Sequence, residues 1–292
     1  MAIRHLLLRT LPFIATLTFF LLTLTNVCAL VVLPDGRQVH IIKNDILLDA
    51  IGDFIVNRVE YLATSAIATK GTFSMSIGSG TTVAPLAQLA DRDVDMTKVH
   101  ILFGNERTEG EQAGKCFKSG SDVFRALGIP EENIHSVPHL PAEEAAETYE
   151  AFLRNMLMPK HIIGTHENGM PCLDLCLLGS GADGHCASLY PNSPQVSCSS
   201  ASRQGSTNIN TRAFLPAEGK GGITITIDAI NSARNVIVSA GKATQSDMAR
   251  KCLGWSNAEV NTAMPAGMIG TSQGAVVEWI LSQESAADLP AM

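Results

Sequence analysis

Asp183 and His185 stand two residues apart at the end of an apolar run, in the segment Leu173-Asp-Leu-Cys-Leu-Leu-Gly-Ser-Gly-Ala-Asp-Gly-His-Cys-Ala-Ser-Leu-Tyr-Pro191. An imidazole moves a proton readily near neutral pH, and a neighbouring carboxylate can orient it or share the work. Two other segments carry polar groups in comparable places. In Ser76-Ile-Gly-Ser-Gly-Thr-Thr82 the amides and hydroxyls of Gly78, Ser79, Gly80, Thr81 and Thr82 could cradle a phosphate at a helix N-terminus. Asn105-Glu-Arg107 adds an amide, a carboxylate and a guanidinium. Taken singly, each segment also reads as ordinary structure: His185 as a locally packed loop histidine, the glycine pair as a turn with a Thr cap, Glu106 and Arg107 as an exposed ion pair on a surface turn. What joins them is placement, because each directly follows a run that reads as a core strand.

The elements that must position these groups alternate as in a parallel sheet wrapped by helices. The spacing predicts a helix over 46–61, a strand over 73–77, a helix over 82–89 despite Pro85, and a strand over 99–103. A helix closes over 123–127 before Gly128-Ile-Pro130, and another runs from Pro141 to Met158 with acids in its first turn, where the helix dipole favours them. The continuous apolar run 173–178 reads as a buried parallel strand, with Gly179-Ser-Gly181 as its exit loop. Residues 195–222, rich in Ser, Asn, Thr and Gly, read as a long loop or lid. Strands over 223–227, 235–240 and 275–280 and a helix over 245–253 complete the pattern. The expected fold is α/β: a doubly wound, mostly parallel sheet with helices on both faces. Ligands of such sheets gather at the carboxyl ends of the strands.

With 292 residues and 46% hydrophobic content the chain can build a full core, and no repeat or linker divides it. The net charge of −7 and the lack of a concentrated basic face argue against nucleic acid. Residues 1–29 read differently: Arg4 and Arg9 without any acid, a nearly unbroken apolar run from Leu11 to Leu24, and Val27-Cys-Ala29 as a small-residue cleavage site. This is the pattern of a signal peptide, or of a signal anchor if it stays uncleaved. A domain of residues 30–292 would then enter the secretory route, to the endoplasmic reticulum lumen, outside the cell or an organelle reached by that route, and would meet a membrane only through an uncleaved anchor. Six cysteines follow (Cys116, Cys172, Cys176, Cys186, Cys198 and Cys252), too sparse for a disulfide framework and wrongly spaced for tetrahedral zinc, so buried free thiols are expected.

The motifs resemble those of a known family. Gly78-Ser-Gly-Thr81 resembles the Ser-Gly-Gly-Ser loop of 6-phosphogluconolactonases, and Phe103-Gly-Asn-Glu-Arg107 resembles their Asp-Glu-Arg segment. Pro141-Ala-Glu-Glu-Ala-Ala-Glu-Thr-Tyr149 is similar to the helix that follows, and Gly179-Ser-Gly-Ala-Asp-Gly-His-Cys-Ala-Ser-Leu-Tyr-Pro191 is close to their most specific signature. The likeness extends through Ile223-Thr-Ile-Thr-Ile227 to Glu278-Trp279. Glucosamine-6-phosphate deaminases share the superfamily, but Arg107 and Ser188-Leu-Tyr-Pro191 resemble the lactonase branch. Three positions depart from the lactonase pattern: Asn105 replaces Asp, Gly222 replaces an Arg, and Thr244 replaces a Lys, with Lys242 nearby. Fewer cations imply weaker hold on a phosphate dianion.

The resemblance implies hydrolysis of 6-phospho-D-glucono-1,5-lactone, a step of the oxidative pentose phosphate pathway, without metal or cofactor. His185 would take a proton from water and return it to the departing ring oxygen, and Asp183 would orient His185 or the water. Amides near Gly181 to Gly184 would stabilise the oxyanion, and Gly78 to Thr82 with Arg107 would hold the phosphate. Asn105, Glu106, Gly181 and Gly184 complete the expected substrate contacts. Two other readings stay open: a sugar-phosphate deaminase or isomerase on the same fold, and a non-catalytic sugar-phosphate-binding relative. The presence of Asp183, Gly184 and His185 favours the enzyme.

Overall fold

A computed structural model of the chain describes residues 27–43, 49–78, 80, 82–198, 212–217, 219, 221–254, 261–270 and 274–290. Its strands, in chain order, are β1 (Val27–Val32), β2 (Gln38–Ile42), β3 (Phe73–Ile77), β4 (Val99–Phe103), β5 (Asn105–Arg107), β6 (Ile134–His135) and β7 (Gly164–Thr165). They continue as β8 (Pro171–Cys172), β9 (Leu175–Gly179), β10 (Phe214–Pro216), β11 (Gly222–Ile225), β12 (Asn235–Ala240) and β13 (Val276–Ser282). The helices are α1 (Ala50–Lys70), α2 (Lys115–Ala126), α3 (Ala142–Phe152), α4 (Pro194–Ser197), α5 (Ile227–Asn231) and α6 (Ser246–Cys252).

The main sheet has the order β1-β2-β13-β12-β9-β3-β4-β6. Only the edge pair β1–β2 is antiparallel; every other neighbour is parallel. From β3 the chain winds outward through β4 to β6, then returns to lay β9 on the other flank of β3 and winds outward again through β12 to β13. The winding reverses between β3 and β9, and a crevice opens outside the carboxyl ends of strands at such a switch point. The fold is the expected doubly wound α/β sheet. Its central strands are apolar along their whole length because both faces are covered: β3 and β4 are buried at every position, and Leu175, Leu177, Val236 and Val238 continue the core into β9 and β12.

Most sequence boundaries stand, and the shifts have local causes. The first helix starts at Ala50 rather than 46, because the Asp49 side chain accepts the Gly52 N–H at 3.0 Å as N-cap, and it runs on to Lys70, where Gly71 ends it. The helix expected over 82–89 is a 3-10 helix, Ala84–Asp91, with Pro85 in its first turn. The helix opening at Pro141 passes into a π turn over Leu153–Leu157 before Met158. β9 begins at Leu175; just before it, the carboxylate of Asp174 accepts from Ser74 N and Oγ at 2.8 and 2.9 Å. The strand expected over 223–227 ends at Ile225, where Thr226 caps α5.

The stretch 195–222 is not all loop: β10 lies inside it and pairs antiparallel with β11, while 199–211 lie outside the described residues. Residues 1–26 of the signal-like segment also lie outside them. β1 starts at Val27, within the segment whose removal was expected after Ala29, and Ala29 pairs with Ile41 of β2. No helix among the described residues is long and apolar enough to cross a membrane. Cys116, Cys172, Cys176, Cys186, Cys198 and Cys252 are free, and all but Cys198 are buried.

Candidate active site

β5 shows how a short strand divides cavity-lining from buried side chains. It leaves the main sheet after Gly104 and pairs antiparallel with β11, Asn105 opposite Thr224 and Arg107 opposite Gly222. Successive residues of a strand point to opposite faces. Asn105 and Arg107 therefore share the face that lines the cavity at the switch point, while Glu106 points the other way and is buried. There the Glu106 carboxylate accepts the amides of Arg107 and Cys116 at 2.8 Å and of Phe117 at 2.7 Å, capping the first turn of α2. Glu106, expected to touch substrate, instead fixes the angle between β5 and α2. The segment is thus a paired strand and not a surface turn.

The loop after β9 is folded by its own backbone. The Gly181 N–H donates to the His185 carbonyl at 2.8 Å, and the Gly184 N–H to the Gly181 carbonyl at 3.0 Å. Gly184 has φ of +88°, which favours glycine, and Ala187 stands in the left-handed region at +50° as the chain turns back along the cavity wall. The hairpin is closed by bridges of Cys186 to Ser180 and to Leu189. These bonds engage the amides of Gly181 and Gly184, so neither is offered to an oxyanion as the sequence reading expected. A Cβ on Gly181 would overlap Nδ1 of His185 and lie 2.5 Å from Asp183 Oδ1. A glycine there is what allows the imidazole to lie across the loop.

His185 and Asp183 are brought together as expected. Asp183 Oδ1 lies 2.6 Å from His185 Nδ1 and also accepts the His185 N–H at 3.2 Å. A carboxylate at Nδ1 selects the tautomer protonated there and leaves the lone pair on Nε2. Partial burial pushes the Asp183 carboxyl up, but the hydrogen bonds from His185 outweigh this and hold it below the usual carboxylate range. Asp183 is a carboxylate at neutral pH. The Tyr190 ring tilts against the imidazole with centroids 5.2 Å apart, and His185 keeps about a third of its side chain exposed, enough for water to reach it.

A cavity of about 340 Å³ joins these groups. Of the expected site residues, Gly78, Gly80, Thr82, Asn105, Arg107, Gly181 and His185 line it. Asp183 stands behind His185, Gly184 turns the loop, and Ser79 and Thr81 lie outside the described residues. Asn105 Nδ2 donates to Ser188 Oγ at 3.1 Å, and the Ser188 N–H donates to Thr224 Oγ1 at 3.2 Å, so β5, the histidine loop and β11 form one network. Sequence reasoning missed Lys115, Ser188 and Tyr190 as lining residues and named Lys242 only as a neighbour of a missing lysine. Lys242 lines the cavity and Thr244 does not. At Gly222, where the resemblance leads one to expect Arg, a Cβ would overlap the Glu106 carbonyl in the β5–β11 pairing.

Fold and cavity define an α/β enzyme whose site lies at the switch point of its sheet. The profile of the family described as glucosamine-6-phosphate isomerases/6-phosphogluconolactonase matches residues 48–279, and the chain belongs to that family. Probable 6-phosphogluconolactonase 1 of Arabidopsis thaliana is 26% identical over 265 residues, covering 87% of this chain and 94% of the relative. Probable 6-phosphogluconolactonase 4, chloroplastic, of Oryza sativa subsp. indica is 30% identical over 211 residues, covering 68% of this chain and 63% of the relative. The crystal structure of 6-phosphogluconolactonase from Leishmania guyanensis shares the fold, with a TM-score of 0.63 at 18% identity over 87% of this chain and 98% of that one.

Proposed function

We propose that the chain hydrolyses 6-phospho-D-glucono-1,5-lactone to 6-phosphogluconate. The observation that carries the reading is a histidine–carboxylate pair opening onto a cavity whose other charged lining residues are Arg107, Lys115 and Lys242, with no carboxylate among the described residues that line it. In a chain of net charge −7 that local excess of positive charge selects a small anion. Membership of the family and the lactonase names of its relatives support the same substrate.

In this mechanism Nε2 of His185 takes a proton from water as the oxygen attacks the lactone carbonyl carbon. Asp183 stabilises the imidazolium that forms and keeps the ring in place, as an orienting carboxylate does. When the tetrahedral adduct collapses, the bond from the carbonyl carbon to the ring oxygen breaks, and the imidazolium returns its proton to that oxygen. One water is consumed, and the new carboxylic acid releases a proton to solvent.

The test uses purified protein and freshly generated 6-phosphogluconolactone, with acid release followed against the spontaneous reaction and ammonia release from glucosamine 6-phosphate followed in parallel. The expected result is acceleration of the first and none of the second. Ammonia release without lactone acceleration would assign the site to the deaminase chemistry of the same superfamily instead.

A further inference from the structure

We propose that Lys115 and Lys242 are the specificity-determining cations of this cavity, holding the phosphate of the substrate with Arg107 in place of the positive charges missing at Gly222 and Thr244. The inference rests on the reading of the cavity as a sugar-phosphate site. The three cations reach one space from three elements: Arg107 ends β5, Lys115 opens α2, and Lys242 follows β12. Neither Lys115 nor Lys242 has a carboxylate partner among the described residues, whereas Lys70 pairs with Asp174 and Lys251 with Asp247. Both lysines are exposed and line the same cavity, so an anion entering it meets positive side chains without a competing carboxylate among the described lining residues.

Some of the backbone amides beside the cavity are engaged within the chain. At the start of α2 the amides of Cys116 and Phe117 donate to Glu106. At the start of the 3-10 helix after the Gly78–Thr82 loop, the Val83 amide donates to the Gly80 carbonyl and Pro85 has none. Backbone amides carry no net charge, so neutralising a phosphate dianion falls to side chains. Lys242 is suited to it, because its backbone is tied to the histidine loop: its N–H donates to Gln245 Oε1 at 2.7 Å, and Gln245 Nε2 donates to the Ser180 carbonyl at 2.5 Å. Gln245 is buried, so this link fixes where the Lys242 chain leaves the backbone relative to His185. Gly222 offers no such place, since a side chain there meets the Glu106 backbone.

The test compares Lys115→Gln, Lys242→Gln, the charge-preserving Lys115→Arg and Lys242→Arg, and Lys160→Gln as a control away from the cavity. KM and kcat are measured with 6-phosphogluconolactone and with unphosphorylated glucono-1,5-lactone, and binding of 6-phosphogluconate and inorganic phosphate is measured by calorimetry. Each Gln variant is expected to raise KM for the phosphorylated lactone about 10- to 100-fold, the range of one charged hydrogen bond. kcat should change little, the unphosphorylated lactone should be affected much less, and the Arg variants should recover part of the loss. Unchanged KM in both Gln variants, or equal losses on both lactones, overturns the assignment while leaving the lactonase reading intact. If the wild type hydrolyses no lactone, the calorimetry still decides: phosphate binding lost in the Gln variants supports the subsite, and binding retained in them, or absent from the wild type, overturns it.

Discussion

In the proposed mechanism the imidazole of His185 depends on its surroundings as much as on its own type. Asp183 sets which nitrogen is basic, and Gly181 leaves the space in which the ring lies. Gly181→Ala should therefore act as a histidine variant: the added methyl displaces the ring, and the rate of lactone hydrolysis should fall about 10²-fold or more, the scale of a lost general base. The thermal midpoint should barely move, because Gly181, Ala182 and Asp183 are not buried; a rate within a few-fold of wild type would show that the ring does not need its observed position. The Asp183–His185 pair was legible in the sequence because two residues of one tight loop cannot be far apart. Lys115 was not, since it stands 70 positions from His185 and only the pairing of β5 with β11 turns α2 toward the cavity. Glu106 was misread for a related reason: the period of two that sends it away from Asn105 and Arg107 appears only once the segment is known to be a strand.

Among the elements, β5 and the start of α2 form the least self-evident support of the site, held by three backbone N–H groups that donate hydrogen bonds to one buried carboxylate. Glu106→Gln removes the charge and turns one acceptor into a donor facing an N–H. An unsatisfied buried pair of this kind should cost about 1.5–3 kcal/mol, read as a lower denaturant midpoint at unchanged slope. A midpoint equal to wild type would show that the cap contributes nothing net. Gly222→Arg, which restores the residue type expected from the resemblance, should lower stability without tightening phosphate binding, because its Cβ meets the Glu106 carbonyl. Denaturation and product titration of the one variant check both halves of that statement. The central strands were legible almost to the residue as apolar runs, while the helices drifted at their ends, where a single cap or an early Pro85 decides the outcome.

At the scale of the whole molecule, buried titratable groups outside the site shape the response to acid. His100 and His135 stack between β4 and β6 with ring planes 7° apart and His100 Nδ1 3.1 Å from His135 Nε2. Burial pushes both down to about 4, assisted by Lys70 for His100 and by the partner ring for His135. A histidine whose folded value lies below the unfolded 6.5 binds protons more readily when the chain unfolds, so its contribution is present above pH 6.5 and is lost as the pH falls toward 4. Unfolding free energy should thus decline across that window, and His100→Gln/His135→Gln should flatten the decline. An equal slope in the double variant would assign it to other groups. Glu278 adds to acid sensitivity lower down: its burial is outweighed by hydrogen bonds from His40 and Arg58, which hold its carboxyl below the usual range.

The central claim is that His185 turns this cavity into a lactone hydrolase, and one comparison tests it most directly: the rate of acid release from fresh 6-phosphogluconolactone with wild-type protein and with His185→Ala, both shown to be folded by near-ultraviolet circular dichroism. Loss of about 10²- to 10⁴-fold of the catalysed rate in the variant is the predicted result. A variant that accelerates the reaction as well as the wild type would contradict the account.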